Sequence, residues 1–251
     1  MVAFGYQNQG LVDKLVKNAT SFSMALARWL CRTSRRFRYP TASNLDEFKA
    51  LEEVADLVWA TSPDELDGAE LVVLPGSKHV AGDLAWLWER GFAPAVARAR
   101  AVLGICGGLQ MLGTRIDDPV GVDGSADGLG LLQVRTVFGR EKRTTRVETA
   151  FARVGRPWDG LSQRAFAGYE IRHGETTAVG DVAHALPDGL GFVSGRFLGI
   201  ALHGLFEQPE LVRAVLGAAP RSSLEDAFDV LADAVEERLD VDMLRALAGV
   251  A

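Results

Sequence analysis

Cysteine is nearly absent from this sequence: Cys31 and Cys106 are the only two in 251 residues. Two thiols make no disulfide framework, and the first ten residues offer neither a basic leader nor an unbroken apolar stretch. A reducing, cytoplasmic setting is therefore expected, and a free reactive thiol is chemically permitted there. No apolar run approaches the ~20 residues that cross a bilayer, so no membrane span is expected. Positive charge is also scarce. Lys and Arg number 27 against 33 Asp and Glu, a formal net charge of −6, which argues against a nucleic-acid partner. Arg32, Arg35, Arg36 and Arg38 form a short basic run that reads as solvated surface. No Gly-x-x-x-x-Gly-Lys-Ser/Thr phosphate loop occurs, and the glycines from Gly121 to Gly130 lack the lysine that would reach phosphates. This chain is not expected to activate a carboxylate with ATP unaided. No pair among the four histidines has the close spacing of a zinc site, so no metal is expected.

What the sequence does contain is an α/β rhythm. Leu11 to Cys31 has helical apolar spacing, and Asp56 to Ala60 is a short strand candidate. Ser62-Pro63-Asp64-Glu65 reads as a helix start with a capping box. Leu71 to Leu74 and Ala101 to Ile105 are apolar runs of the kind buried on both faces of a parallel sheet. Between and after them, Val80 to Arg100 (interrupted at Gly91 and Pro94) and Gly107 to Arg115 follow a helical pattern. Strand, helix, strand, helix predicts a parallel sheet with crossover helices. Asp117 to Gly130 is a loop by composition. The rhythm then changes to hairpin-type strands at Leu131 to Val137, Val147 to Phe151, Tyr169 to Arg172, Gly191 to Ser194 and Leu198 to Leu202. From Pro209 the chain reads as helical, ending in amphipathic Asp240 to Ala248. One domain is the better description.

Chemistry concentrates at Cys106. An aliphatic strand delivers it into Gly104-Ile105-Cys106-Gly107-Gly108, the cysteine counterpart of the Gly-x-Ser-x-Gly nucleophile elbow. Glycines are needed there because the turn is sharp and side chains would strike the adjoining strand and helix. The thiol then sits at a helix start, where free amides favour thiolate, and the Gly107 N–H is placed for an oxyanion. Amide cleavage by a thiol needs a proton carrier for the leaving nitrogen, and histidine is the usual choice. Of His79, His173, His184 and His203, the last ends the run Leu198 to Leu202, where open α/β sheets gather active residues. His184 reads as solvated. Pro75-Gly76-Ser77-Lys78, after the strand at Leu71 to Leu74, could bring a second oxyanion amide.

Leu74-Pro75-Gly76-Ser77-Lys78, Asp83-Leu84-Ala85-Trp86-Leu87 and Gly104 to Gly113 closely resemble the glutamine amidotransferase domain of cobyric acid synthase. So do Asp127 to Leu132, Gly168-Tyr169-Glu170-Ile171-Arg172-His173-Gly174 and Leu202-His203-Gly204-Leu205-Phe206. The resemblance runs from about Pro40 to the C-terminus. It implies a flavodoxin-like, class I (triad-type) amidotransferase fold: a central, mostly parallel sheet with flanking helices and a hairpin-rich C-terminal half. Residues 39–251 would form this domain, and 1–38 an atypical, helical N-terminal extension. By the resemblance Cys106 forms the glutamyl thioester, His203 is the acid and base, and Gly76 and Gly107 furnish the oxyanion hole. The ammonia would amidate adenosylcobyrinic acid a,c-diamide in cobalamin biosynthesis. ATP and Mg would be used by a synthetase partner, with no cofactor held by this chain.

Two departures from the family stand out. The wider class I enzymes carry a Glu two residues after the catalytic His, where this chain has Leu205; Glu207 is the candidate replacement. Residues up to about Arg38 do not resemble the family's first strand, as a truncated or shifted gene or a stand-alone subunit would explain. Two other readings compete: a glutaminase subunit of a complex amidating peptidoglycan lipid precursors, and a non-catalytic remnant that only binds a partner.

Overall fold

The computed structural model describes residues 45–220 without a break, with Leu26–Ala27 and residues 229, 232–234, 237, 238, 240 and 243. In chain order the first strands are β1 (Leu26–Ala27), β2 (Leu57–Val58), β3 (Val72–Leu74), β4 (Val102–Ile105), β5 (Arg115–Asp117) and β6 (Ala126–Asp127). Then come β7 (Val134–Ala150), β8 (Ala165–Ala178), β9 (Ala183–Leu186), β10 (Gly191–Ser194), β11 (Phe197–Ile200) and β12 (Leu202–His203). The α-helices are α1 (Val80–Glu89), α2 (Phe92–Arg98), α3 (Gly107–Leu112) and α4 (Pro209–Leu216).

Ten of these strands form two five-stranded sheets, not one, and β1 and β2 pair as a separate two-stranded ribbon. The first runs β3-β4-β11-β10-β9, parallel across β3, β4 and β11 and antiparallel beyond. Every residue of β3 and β4 is buried, as their unbroken apolar runs require. The second runs β12-β8-β7-β5-β6 and is antiparallel except where β5 meets β7. The chain crosses between the sheets at Ala201, whose N–H is donated to Leu190 O at 2.7 Å. The run Leu198 to Leu202 is therefore two strands, and His203 belongs to the second sheet.

Several other expectations are redrawn. The strands expected at Leu131 to Val137 and Val147 to Phe151 overlap the two ends of a single 17-residue β7, paired with the 14-residue β8. The helical stretch Val80 to Arg100 breaks as its glycine and proline suggest: Gly91 takes φ +76°, and α2 begins after it. Ser62 and Glu65 do open a helix, a single 3-10 turn at Pro63–Leu66, with Glu65 accepting the Ser62 N–H at 3.1 Å. His184 is exposed, as expected, but it lies on β9, with its ring 4.9 Å from that of Phe192. Of the helix expected over Leu11 to Cys31, only Leu26–Ala27 is described, and it pairs as a strand with β2. The rest of that segment, the boundary at residues 38 and 39, and Asp240 to Ala248 apart from Asp240 and Met243 lie outside the described residues. Helix α4 has Pro209 in its first turn and stops at Gly217, φ +75°. No helix among the described residues is long and apolar enough to cross a membrane.

Candidate active site

The elbow forms as the glycines predict. Cys106 follows β4 directly and caps α3 with φ +52° and ψ −104°, a region an L residue occupies only under strain. A Cβ on Gly108 would lie 2.0 Å from Leu74 O, and one on Gly104 would lie 2.5 Å from the Gly108 carbonyl. Helix α3 thus sits directly on β3 and β4, and only glycines permit it. Cys106 N–H is donated to Ile200 O at 2.7 Å, fixing the elbow to β11.

The loop after β3 packs on the other side. A Cβ on Gly107 would meet Ser77 N at 2.7 Å, so the Gly76–Ser77 backbone and the first turn of α3 abut. Amides in the first turn of a helix have no intrahelical acceptor. The Gly107 N–H is one of these.

Strand β8 brings the second half. Gly168 lets β12 approach, since a Cβ there would lie 2.4 Å from His203 O, and His203 pairs in register with Tyr169. Two residues further along β8, Ile171 O stands 3.2 Å from Cys106 Sγ and accepts the neutral thiol. The Gly-Tyr-Glu-Ile segment therefore touches the Cys106 thiol and the His203 backbone. Cys106 and His203 line the same cavity, with the thiol close enough to raise the proton affinity of the ring.

The carboxylate that orients His203 was not found from the sequence. It is Glu47, 3 % exposed, whose Oε2 lies 3.3 Å from His203 Nδ1 and whose Oε1 accepts the Leu205 N–H at 3.2 Å. It arrives on a 3-10 helix, Leu45–Glu53. That helix is seated by Leu51 in the core and by Phe48, whose ring is 5.7 Å from Phe206. Glu207 makes no hydrogen bond to His203 among the described residues. Burial raises its carboxyl above the usual range, and the neighbouring charge of Glu47 adds to that. At position 205, where a glutamate was expected by comparison, the backbone amide instead grips Glu47. A signal was present: Glu47 is an acid inside Pro40 to Phe48, the start of the family-like stretch.

His203 is 5 % exposed. Burial works against charge on its ring, but hydrogen bonds to Cys106 and Glu47, and their charges, outweigh it and push the ring up to about 10. With Nδ1 on Glu47, Nε2 is left for the thiol. A cavity of about 560 Å³ opens here, lined by Cys106, His203, Gln110, Asp123, Lys142 and His173 among others. His173 Nδ1 is buried, with no hydrogen-bond partner among the described residues. Among the described residues no group of three or more His, Cys, Asp or Glu is arranged to hold a metal ion.

A strained cysteine elbow beside parallel strands, a buried histidine and a loop packed against the elbow fit a class I glutamine amidotransferase domain. The chain belongs to the CobB/CobQ-like glutamine amidotransferase family, whose model matches residues 36–211. It is 48% identical over 227 residues to the cobyric acid synthase of Polaromonas naphthalenivorans, covering 83% of this chain and 47% of that protein. It is 46% identical over 228 residues to that of Variovorax paradoxus, covering 86% and 47%. The chain thus spans about half the length of the relatives it matches. Among solved structures it is similar to a glutamine amidotransferase (TM-score 0.53, 22% identity, 68% of this chain and 89% of that one). It is also similar to PurLQS from Thermotoga maritima (TM-score 0.54, 16% identity, 68% and 91%). These structural likenesses concern the fold.

Proposed function

We propose that Cys106 hydrolyses the side-chain amide of glutamine and that the ammonia is passed to an ATP-dependent synthetase of cobyric acid synthase type. The observation that carries this reading is the contiguous set Cys106, His203 and Glu47: the cysteine and histidine line one cavity, and Glu47 Oε2 lies 3.3 Å from His203 Nδ1. In the first half-reaction the thiolate attacks the glutamine Cδ, and the oxyanion faces the Gly107 N–H and the Gly76–Ser77 backbone. His203 gives its Nε2 proton to the departing nitrogen, so ammonia leaves and a glutamyl thioester remains. Water then attacks the thioester while His203 takes its proton, releasing glutamate and the thiol. Glu47 holds the ring by Nδ1 and steadies the imidazolium.

The acceptor reading rests on relatives 48% and 46% identical that are named as cobyric acid synthases. On it, a corrinoid carboxylate such as that of adenosylcobyrinic acid a,c-diamide is the acceptor. ATP and Mg serve the synthetase partner, and this chain needs no cofactor of its own. A cytoplasmic setting, where a free thiol stays reduced, goes with it.

The decisive experiment is treatment of the purified chain with a diazo-ketone analogue of glutamine, followed by peptide mass mapping. One adduct on Cys106, prevented by excess glutamine, is the expected result. An unlabelled Cys106, with and without an ATP-binding synthetase present, overturns the proposal.

A further inference from the structure

We propose that Asp83 is a positioning residue for the oxyanion hole, fixing the Gly76–Ser77 backbone against the elbow through the Ser77 hydroxyl. The inference rests on the catalytic reading above and assigns a role to the Asp83 of the Asp-Leu-Ala-Trp-Leu segment, which the chemistry so far leaves unused.

Asp83 stands in the first turn of α1 and is 4 % exposed. An acid near a helix start ordinarily stays at the surface and serves the free amides there. This one faces back into the protein, where its Oδ2 accepts a hydrogen bond from Ser77 Oγ. Ser77 Oγ in turn accepts the His79 N–H at 3.0 Å. The hydroxyl therefore both donates and accepts, and it cross-braces the turn between β3 and α1. Burying a carboxylate is unfavourable unless its bonds are specific. That burial lifts Asp83 to about 7, against the opposing pull of the Ser77 hydrogen bond and the charge of His79, with Asp123 adding to the rise.

A second brace acts on the same turn. The His79 ring lies over Gly82, where a Cβ would come 2.3 Å from it, and its Nδ1 pairs with Asp123 Oδ1. The other Asp123 oxygen accepts the Ala81 N–H at 3.0 Å. Asp123 is itself held in its loop, since Asp118 Oδ2 accepts the Asp123 and Gly124 N–H groups at 2.7 Å each. The turn that abuts Gly107 is thus pinned from two directions. The Ser77–Asp83 brace ties the residue touching the elbow directly to a buried side chain, whereas Asp123 reaches Ser77 only by way of His79. An oxyanion donor displaced by a fraction of an ångström loses much of its effect, because its worth lies in being fixed before charge develops.

The test compares two alkylations of Cys106. A diazo-ketone glutamine analogue needs its carbonyl polarised in the oxyanion hole, whereas iodoacetamide needs only the activated thiol. Ser77→Ala is expected to lower kinact for the diazo-ketone about 10- to 100-fold, with KI and the iodoacetamide rate unchanged. Ser77→Thr, which keeps the hydroxyl, is expected to restore most of kinact. Asp83→Ala should match Ser77→Ala, and the double variant should lose no more than either, since both break one interaction. A Ser77→Ala kinact within about twofold of the parent, additive losses, or an equal fall in the iodoacetamide rate overturns the proposal. A parent chain that reacts with iodoacetamide at Cys106 but never with the diazo-ketone marks failure of the glutaminase reading itself.

Discussion

Glu47 and His203 stand 156 residues apart in sequence and meet at 3.3 Å, Oε2 to Nδ1, where neither side chain is exposed. The contact restores a third member to a site that local sequence presents as a cysteine and histidine alone. It also fixes which ring nitrogen faces the thiol.

Glutamine turnover should depend on Glu47 and hardly at all on Glu207. Glu47→Gln is expected to lower kcat for ammonia release by about 10⁴-fold, the size of loss seen when a triad's acid is replaced. Glu207→Gln should stay within about threefold, because no hydrogen bond to the ring is lost. A coupled glutamate dehydrogenase assay measures both. Equal losses in the two variants would return the orienting role to Glu207.

The His203 ring gives stability a definite pH dependence. Its proton affinity in the fold is raised from 6.5 to about 10, so folding is favoured by the bound proton. That contribution is fully present below about pH 6.5 and fades as pH rises toward about 10. Urea unfolding of the parent and of His203→Gln across this window should show the parent's advantage shrinking with increasing pH. An advantage that grows would contradict the assignment.

Backbone strain at Cys106 should invert an ordinary rule. Alanine normally gives a more stable protein than glycine, by about 0.4–1 kcal/mol, through the unfolded chain. At φ +52° the order reverses, because any Cβ here bears a strain of about 1–3 kcal/mol. Cys106→Gly is thus expected to be more stable than Cys106→Ala in denaturant titration.

Contact between α3 and β3 leaves no room at Gly108. Its added Cβ would fall 2.0 Å from Leu74 O, a backbone atom that cannot swing aside. Gly108→Ala should lower stability by about 1–3 kcal/mol or more, visible as a lower Tm, and slow iodoacetamide capture of Cys106 as the elbow shifts.

The elbow was legible because its requirements are local: a buried strand, a turn only glycine tolerates, and a helix all fall within Ala101 to Leu112. The positions of Gly76, Gly107 and His203 beside Cys106 could likewise be anticipated, since each borders an apolar strand. Glu47 was not, because its role depends on where Phe48 and Phe206 bring two distant segments together, and no periodicity records that. The split at Ala201 was equally hidden, since one apolar run serves two short strands as well as one long one. Strand β7 was read in two pieces for the opposite reason. Its middle, Glu141 to Arg146, is exposed on both faces, so the alternation that marks a half-buried strand is missing.

The crossing at Ala201 has a mechanical meaning. Cys106 is anchored on the first sheet through Ile200, while His203 is paired on the second, and a single residue separates Ile200 from Leu202. On the proposed catalytic reading, the proton path between Cys106 and His203 therefore spans a seam, and its length follows how the two sheets are seated on each other.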